Sequence, residues 1–455
     1  MSGKRQKRRQ IALTFGEKSR RVESIEAAAG TESPAGTDRL MEEVCEAKNV
    51  RKALKKVQAN KGAPGVDGMT VEQLSGFLRK HWPTIRDRLL DGSYEPKPVL
   101  KVEIPKPSGG TRQLGIPCVL DRFVQQAVMQ VLQERWDSTF SERSYGFRPG
   151  RSAHQAVAQA QQYVAEGYEH VVDIDLEKFF DRVNHDMLMA RVAKRVTDKR
   201  LLRLLRAFLK SGIMDGGLVS PPEEEGVPQG GPLSPLLSNL FLDDLDRELE
   251  RRGHRFVRYA DDCNVYVRSE RAGHRVMETI KRYLGKKLKL KVNEKKSKVA
   301  RANQVKFLGF KIIRSRKGPK RGIAKESLER FKRRVRELTG RSRGRSLDHL
   351  IEELSKYLAG WRGYYGHCET PKVLRDLDSW IRRRLRSYAW EQWATFPRRK
   401  TKLIGLGIRP GTASHMAWRG CSERGPWHMS RTKAMHQALD NRFFREHGLV
   451  SLVAT

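Results

Sequence analysis

Apolar and polar positions along the chain change their period several times, and the changes mark out its parts. Helical spacing begins near Arg39 and runs to about Asn60, where glycines break it through Gly68. The stretch from Val99 to Pro105 alternates as a strand does. Phe123, Ala127, Val128, Val131 and Leu132 fall on one helical face, and a second helix is expected over 153–165. His170-Val171-Val172-Asp173-Ile174-Asp175-Leu176 reads as an apolar strand interrupted by carboxylates. Leu233, Leu236, Leu237, Leu240 and Leu245 step along another helix, followed by two short strands on either side of Asp261-Asp262. The stretches 288–297 and 305–313 alternate as strands. After a glycine- and lysine-rich link at 314–322 the pattern turns wholly helical. Leu328, Phe331, Val335 and Leu338 form one stripe, and Leu347, Leu350, Ile351, Leu354 and Leu358 a second, capped by Ser346. Leu374, Leu377, Ile381, Leu385 and Tyr388 form a third. The pattern predicts an α+β unit followed by a small helical bundle.

Charge adds a partner to this picture. The 455 residues carry 91 Lys and Arg against 53 Asp and Glu, a formal net charge of +38. An excess of that size points to a polyanion, because self-repulsion otherwise only weakens the fold. No stretch of about 18 apolar residues is present, so nucleic acid is a better partner than a membrane. The five cysteines, Cys45, Cys118, Cys263, Cys368 and Cys421, are widely spaced. No pair has the spacing of a structural zinc site, and the set fits a reducing cytoplasm. Residues 1–40 are polar, without sustained period, and read as a mobile basic leader.

The candidate chemistry centres on carboxylates. Arg258-Tyr259-Ala260-Asp261-Asp262 places two acids at the turn between the two short strands. Alone, such a pair is an ordinary solvated turn. The strand bearing Asp173 and Asp175 changes the balance, because alternation puts both on one face and a buried carboxylate needs a partner. If that strand lies beside the hairpin, Asp175, Asp261 and Asp262 can hold two Mg²⁺ ions about 3.5–4 Å apart, the clamp of in-line phosphoryl transfer. Asp173 is the weaker ligand candidate.

Other segments supply cations, aromatics and loops. The Gly109-Gly110 turn is flanked by Lys106 and Arg112, a point charge and a planar fork suited to a triphosphate. In Ser144-Tyr145-Gly146-Phe147-Arg148-Pro149-Gly150-Arg151-Ser152, two arginines and a serine precede a helix, a place for a phosphate, while Tyr145 and Phe147 are compatible with core positions. Gly226-Val227-Pro228-Gln229-Gly230-Gly231 is a polar loop opening a helix, able to set Gln229 against a base pair or phosphate. Phe179 and Phe180 follow the acidic strand. On the third stripe helix the opposite face carries Arg375, Arg382, Arg383 and Arg386. Near it, Trp361-Arg362-Gly363-Tyr364-Tyr365 interleaves cations with aromatics, as an RNA-gripping surface would.

Taken together, the Tyr259-Ala260-Asp261-Asp262 turn, the Asp175 strand, the Pro228-Gln229-Gly230 loop, and the Trp361–Tyr365 and Trp380–Trp393 strings of cations and aromatics resemble the reverse transcriptase/maturases encoded by bacterial group II introns. The resemblance runs in order over roughly residues 45–450. It implies a right-hand polymerase: fingers over 41–170, an antiparallel-sheet palm over 171–315, a helical thumb over 316–395 and a basic, DNA-binding-like segment over 396–455. It implies dNTP contacts from Lys106, Arg112, Gln229 and Lys296, although Lys296 reads as well as part of a solvated charge run. It also implies an aromatic that screens the ribose 2′-hydroxyl, with spacing favouring Phe180 over Phe179. Template or intron RNA would meet Arg148, Arg151, Arg362, Arg382, Arg383 and Arg386. Expected partners are group II intron RNA, an RNA template with a DNA primer, target DNA and dNTPs, met in the bacterial cytoplasm and at the nucleoid. The missing cysteine pairs resemble the class C branch, which lacks a zinc-stabilised nuclease, so insertion would begin from a nick or DNA 3′ end made elsewhere. Two rival readings are a reverse transcriptase recruited for host defence or repair and a non-catalytic RNA-binding splicing factor.

Overall fold

The computed structural model describes residues 36–105, 109–215, 218–220, 225–226, 230–341, 344–419 and 425–453. Lys106, Gln229 and nearly all of the basic leader lie outside these residues. Three helices open the described chain, α1 (Leu40–Val44), α2 (Ala47–Ala59) and α3 (Leu74–Leu90). The strand expected at Val99 is β1 (Val99–Pro105), paired antiparallel with β2 (Thr111–Ile116), so that Ile104 faces Arg112. Next come α4 (Val119–Trp136), α5 (Ala153–Ala165), β3 (His170–Ile174), α6 (His185–Ala193) and α7 (Lys199–Leu209). A second hairpin, β4 (Ile213–Asp215) and β5 (Leu218–Ser220), extends the first sheet through a parallel β1–β4 contact.

After α8 (Ser234–Arg251) come β6 (Arg255–Tyr259), β7 (Asp262–Val267), α9 (Glu270–Tyr283) and β8 (Lys298–Arg301). They complete an antiparallel sheet in the order β6-β7-β3-β8. Side-chain alternation divides this sheet between two cores. Val172, Ile174, Phe256, Cys263 and Val265 join the core under α1 to α9. Val171, Val257 and Tyr266, on the other face, join a second core with α5 and the helices that follow.

That second core holds the hairpin β9 (Phe310–Ile313) and β10 (Lys320–Ile323), then α10 (Lys325–Leu338), α11 (Leu347–Tyr365) and α12 (Pro371–Gln392). Ser346 caps α11 as expected, accepting from the His349 N–H at 3.2 Å. Two strand expectations fail. The chain over 288–297 is not a strand: a π-turn at Leu284–Leu288 buries Leu284 and Leu288, and Lys289 then turns left-handed. In the 305–313 stretch only Phe310–Ile313 forms a strand; Leu308 and Gly309 take positive φ and turn the chain back, so that Phe307 bridges to Phe310 itself. A side chain on Gly309 would meet the Tyr365 hydroxyl, so the glycine lets α11 approach.

The basic segment expected over 396–455 is helical over most of its described residues. It forms α13 (Phe396–Gly405), α14 (Pro410–Arg419) and three short helices, Pro426–Met429, Lys433–Ala438 and Asn441–Glu446. Leu403, Ala413, Met435, Leu439, Phe444 and Leu452 enter the α10–α12 core. Buried Asp378 on α12 accepts from the Ser451 hydroxyl at 2.7 Å and the Leu452 N–H at 3.0 Å. No helix among the described residues is long and apolar enough to cross a membrane.

Candidate active site

The site begins with a hairpin whose connection is only two residues long. Tyr259 pairs with Asp262, leaving Ala260 and Asp261 to turn the chain, and Ala260 does so at φ +57°. An L-residue pays for that conformation, so its surroundings must impose it. They do. Arg258, fully buried, donates from Nε and one terminal nitrogen to the two carboxylate oxygens of Asp246 at 2.7 and 2.6 Å. Its other terminal nitrogen donates to the Ala260 carbonyl at 2.8 Å and to Asn239 Oδ1 at 3.0 Å. Burial pushes the Asp246 carboxyl up, and the adjoining guanidinium opposes this. Gly146 closes the bracket from the other side, where any Cβ would sit 2.3 Å from the Ala260 nitrogen.

Strand β3 lies directly against β7, with Asp173 opposite Asn264 and Ile174 opposite Cys263. One step further along the same register, Asp175 arrives opposite Asp262, on the face that also carries Asp173 and Tyr259. The Asp175 backbone is fixed by Ser297 Oγ, which accepts from its N–H at 2.9 Å, and by the Asn293 N–H, which donates to its carbonyl at 2.8 Å. Lys296 Nζ stands 3.7 Å from the Asp175 carboxylate. Asp262 keeps part of its surface open to solvent, yet desolvation by the packed sheet around it, then Asp261, Asp173 and Asp175, push its carboxyl up to about 6. Burial likewise pushes Asp173 up to about 6, against the pull of Lys298.

Among the described residues, no three His, Cys, Asp or Glu side chains are gathered closely enough to hold a metal as they stand. The donor set nevertheless suits a hard divalent cation: it is all carboxylate oxygen, and its members repel one another without a cation between them. Asp175, Asp261 and Asp262 are the residues that could close on such an ion.

The remaining candidates divide by what their polar atoms already do. Phe179 is core, 2% exposed and against Phe241, whereas Phe180 is half-buried and keeps part of its ring open. Arg112 lies on β2 opposite Ile104, beside the Gly109-Gly110 bend. Arg148 departs from expectation. It is 6% exposed, and all its donors are committed to Asp137, Ser141 and Ser144, so it staples a loop and has no N–H left for RNA. Arg151 pairs with Glu142, and Ser152 is used in a reciprocal cap with Gln155, so the expected phosphate place at the α5 start is already taken. Arg386 departs too: it is 4% exposed, donates to the Leu439 carbonyl at 2.8 Å, and burial pushes its guanidinium down to about 10. Arg383 lies 3.8 Å over the Trp427 ring. Arg382 is half-buried; Arg362 and Arg375 are exposed, with Arg362 donating to the Ser451 carbonyl at 3.1 Å.

The pattern placed Arg258 and Gly146 within their motifs but gave them no role in bracing the turn, and it did not point to Asp246 or Asn239. Their signal was present: Asp246 falls on the apolar stripe of Leu242, Leu245 and Leu249, and Arg258 lies in a strand beside Val257. A charge on each of two buried faces asks for the other.

Known families match two parts of the chain. Residues 104–312 match the reverse transcriptase (RNA-dependent DNA polymerase) family, and residues 328–404 match the group II intron maturase-specific domain. Protein YkfC of Escherichia coli K12 is 34% identical over 329 residues, which cover 63% of this chain and 86% of that protein. The group II intron-encoded protein LtrA of Lactococcus lactis subsp. cremoris is 27% identical over 332 residues, 58% of this chain and 55% of LtrA. A chain of a solved partial Cas6-RT-Cas1–Cas2 complex aligns with a TM-score of 0.36 at 24% identity, covering 54% of this chain and 42% of that one. The chain belongs to the reverse transcriptases, RNA-dependent DNA polymerases that here carry a group II intron maturase-specific domain.

Proposed function

We propose that Asp175, Asp261 and Asp262 hold two Mg²⁺ ions and that the protein extends a DNA primer on an RNA template. The observation that supports this reading is the β3–β7 register, which runs Asp175 up to Asp262 beside the Ala260-Asp261 turn. When bound, the ions would supply charge at the primer 3′-oxygen and at the triphosphate. The chain's own part is to orient and to screen. Lys106, Arg112 and Gln229 are proposed to meet the incoming dNTP, Lys296 to balance charge at Asp175, and the open ring of Phe180 to crowd a ribose 2′-hydroxyl. Arg362, Arg375 and Arg382 are the thumb cations proposed for RNA.

As a maturase, the protein would clamp its intron RNA through thumb and fingers while the RNA performs the splicing chemistry. Target DNA would be met through the 396–453 helices, in the cytoplasm and nucleoid of a bacterium. The test is primer extension on an RNA template with Asp262→Asn and Asp261→Ala. Both are expected to abolish synthesis and to keep RNA affinity; synthesis at the native rate by either variant would overturn the assignment.

A further inference from the structure

We infer that the Phe147 ring is a seat for the terminal base pair of the template–primer duplex, an inference that rests on the polymerase reading above. Two facts about Phe147 conflict with an ordinary surface or core role. Its side chain is 53% exposed, although the residue is large and apolar. Its backbone is left-handed, φ +57°, where a bulky L-residue is strained.

The surrounding structure enforces both. The Tyr145 N–H donates to the Arg258 carbonyl at 2.9 Å. Asn239 Nδ2 donates to the Gly146 carbonyl at 2.8 Å, and Gln133 Nε2 to the Phe147 carbonyl at 3.1 Å. Next in the chain, Arg148 spends every donor on Asp137, Ser141 and Ser144. Four consecutive residues are thus locked so that one phenyl ring stands out of the protein. Strain retained in this way is a mark of function.

The ring's position names the chemistry it serves. It lies 6.3 Å from the Tyr259 ring, tilted by 43°, and Tyr259 pairs directly with Asp262. The same Asn239 and Arg258 that hold the carboxylate turn also hold Gly146 and Tyr145, the residues leading into Phe147, which ties the ring's position to that of the carboxylates. A neutral flat surface beside carboxylates offers nothing to a triphosphate. It suits the face of a base or the C–H face of a sugar, and the nucleotide that must rest beside these acids is the primer terminus with its template partner. Tyr259 alone would give one side of such a seat; Phe147 widens it.

The test separates strain from function by using glycine, which adopts positive φ freely. Phe147→Gly is expected to melt no lower than the native protein. It should lose about tenfold or more of its affinity for an oligo(dT)–poly(rA) duplex, measured by fluorescence anisotropy without dNTPs, with a matching loss in extension efficiency. Phe147→Trp, which restores a ring, should recover most of both. Duplex affinity within twofold of native for Phe147→Gly would overturn the inference, as would a fall in melting temperature and affinity together that Phe147→Trp does not repair. A native protein that binds the duplex but does not extend it would count against the polymerase reading alone, and the anisotropy comparison would still decide the role of Phe147.

Discussion

Arg258 on β6 and Asp246 on α8 form a two-bonded ion pair, 2.7 and 2.6 Å, with neither side chain exposed, and the same guanidinium grips the carbonyl of Ala260 at the carboxylate turn. A buried pair is poor value as stabilisation alone, because desolvation offsets most of the attraction. Its worth here is geometric. Asp246→Asn is expected to cost about 3–5 kcal/mol in urea unfolding, since it leaves a buried cation short of its counter-charge. Arg258→Lys keeps a cation but cannot reach Asp246, Asn239 and Ala260 together. Its extension rate is expected to fall by about tenfold or more, while RNA affinity in filter binding stays near native.

Phe179 and Phe180 are adjacent and should fail in different ways. Phe180→Ala is expected to raise rNTP incorporation relative to dNTP with little change in melting temperature. Phe179→Ala, which empties a core position against Phe241, is expected to cost about 3–5 kcal/mol and leave sugar choice unchanged. Steady-state incorporation ratios and urea melts of both variants check this; a selectivity change in Phe179→Ala alone would exchange the two roles.

The arginines of α12 are likewise unequal. Arg375→Glu, on an exposed position, is expected to weaken RNA binding and to reduce the slope of log affinity against log salt by about 0.7, with unchanged melting temperature. Arg386→Glu is expected to destabilise by about 3 kcal/mol or more, because it sets a carboxylate against the Leu439 carbonyl in a buried place. An Arg386→Glu protein that melts like the native one would return that side chain to the RNA-facing set.

Asp121, at the start of α4, gives a pH signature away from the reaction. It accepts from the Tyr94 hydroxyl at 2.8 Å and the Lys97 N–H at 3.1 Å, yet burial pushes its carboxyl up to about 6. The folded state therefore holds this proton more tightly than the unfolded chain, whose carboxyl titrates near the ordinary value of about 3.9. Between those values the native state binds more protons, so Asp121's contribution to stability falls as pH rises from about 4 to about 6 and is constant outside that window. Asp121→Asn should remove this slope. Urea midpoints of both proteins across pH 4–7 check it, and parallel curves would contradict it.

Much of the palm was legible from the chain because two independent patterns coincide there. Alternation sets Val172 and Ile174 on one side and Asp173 and Asp175 on the other, while the Tyr259–Asp262 stretch has the turn chemistry of a tight hairpin. What eluded the pattern depends on contacts distant in sequence. A cation's periodicity does not reveal whether its N–H groups end on backbone carbonyls, so Arg148 and Arg386 read as surface charges although both are buried. The stretch 288–297 has a strand's alternation, but its apolar residues are satisfied by a π-turn and an isolated bridge between Leu176 and Val292. The β4–β5 hairpin is three residues per strand, too short for any period to show. The 396–453 helices are short and cationic, and their apolar residues gain meaning only against α11 and α12.

The division of the palm sheet between two faces has an effect on how change is tolerated. Along β3, Val172 and Ile174 pack on one face, while on the other Val171 packs as well and the acids Asp173 and Asp175 follow it, so neighbouring positions there live under different constraints. A slip of one residue against β7 would exchange the two sets, driving acids into an oily interior and stranding Val172 and Ile174 beside the reaction. Misaligned forms of this sheet are thus inactive and poorly folded at once, and no stable, idle version of the palm lies one step away.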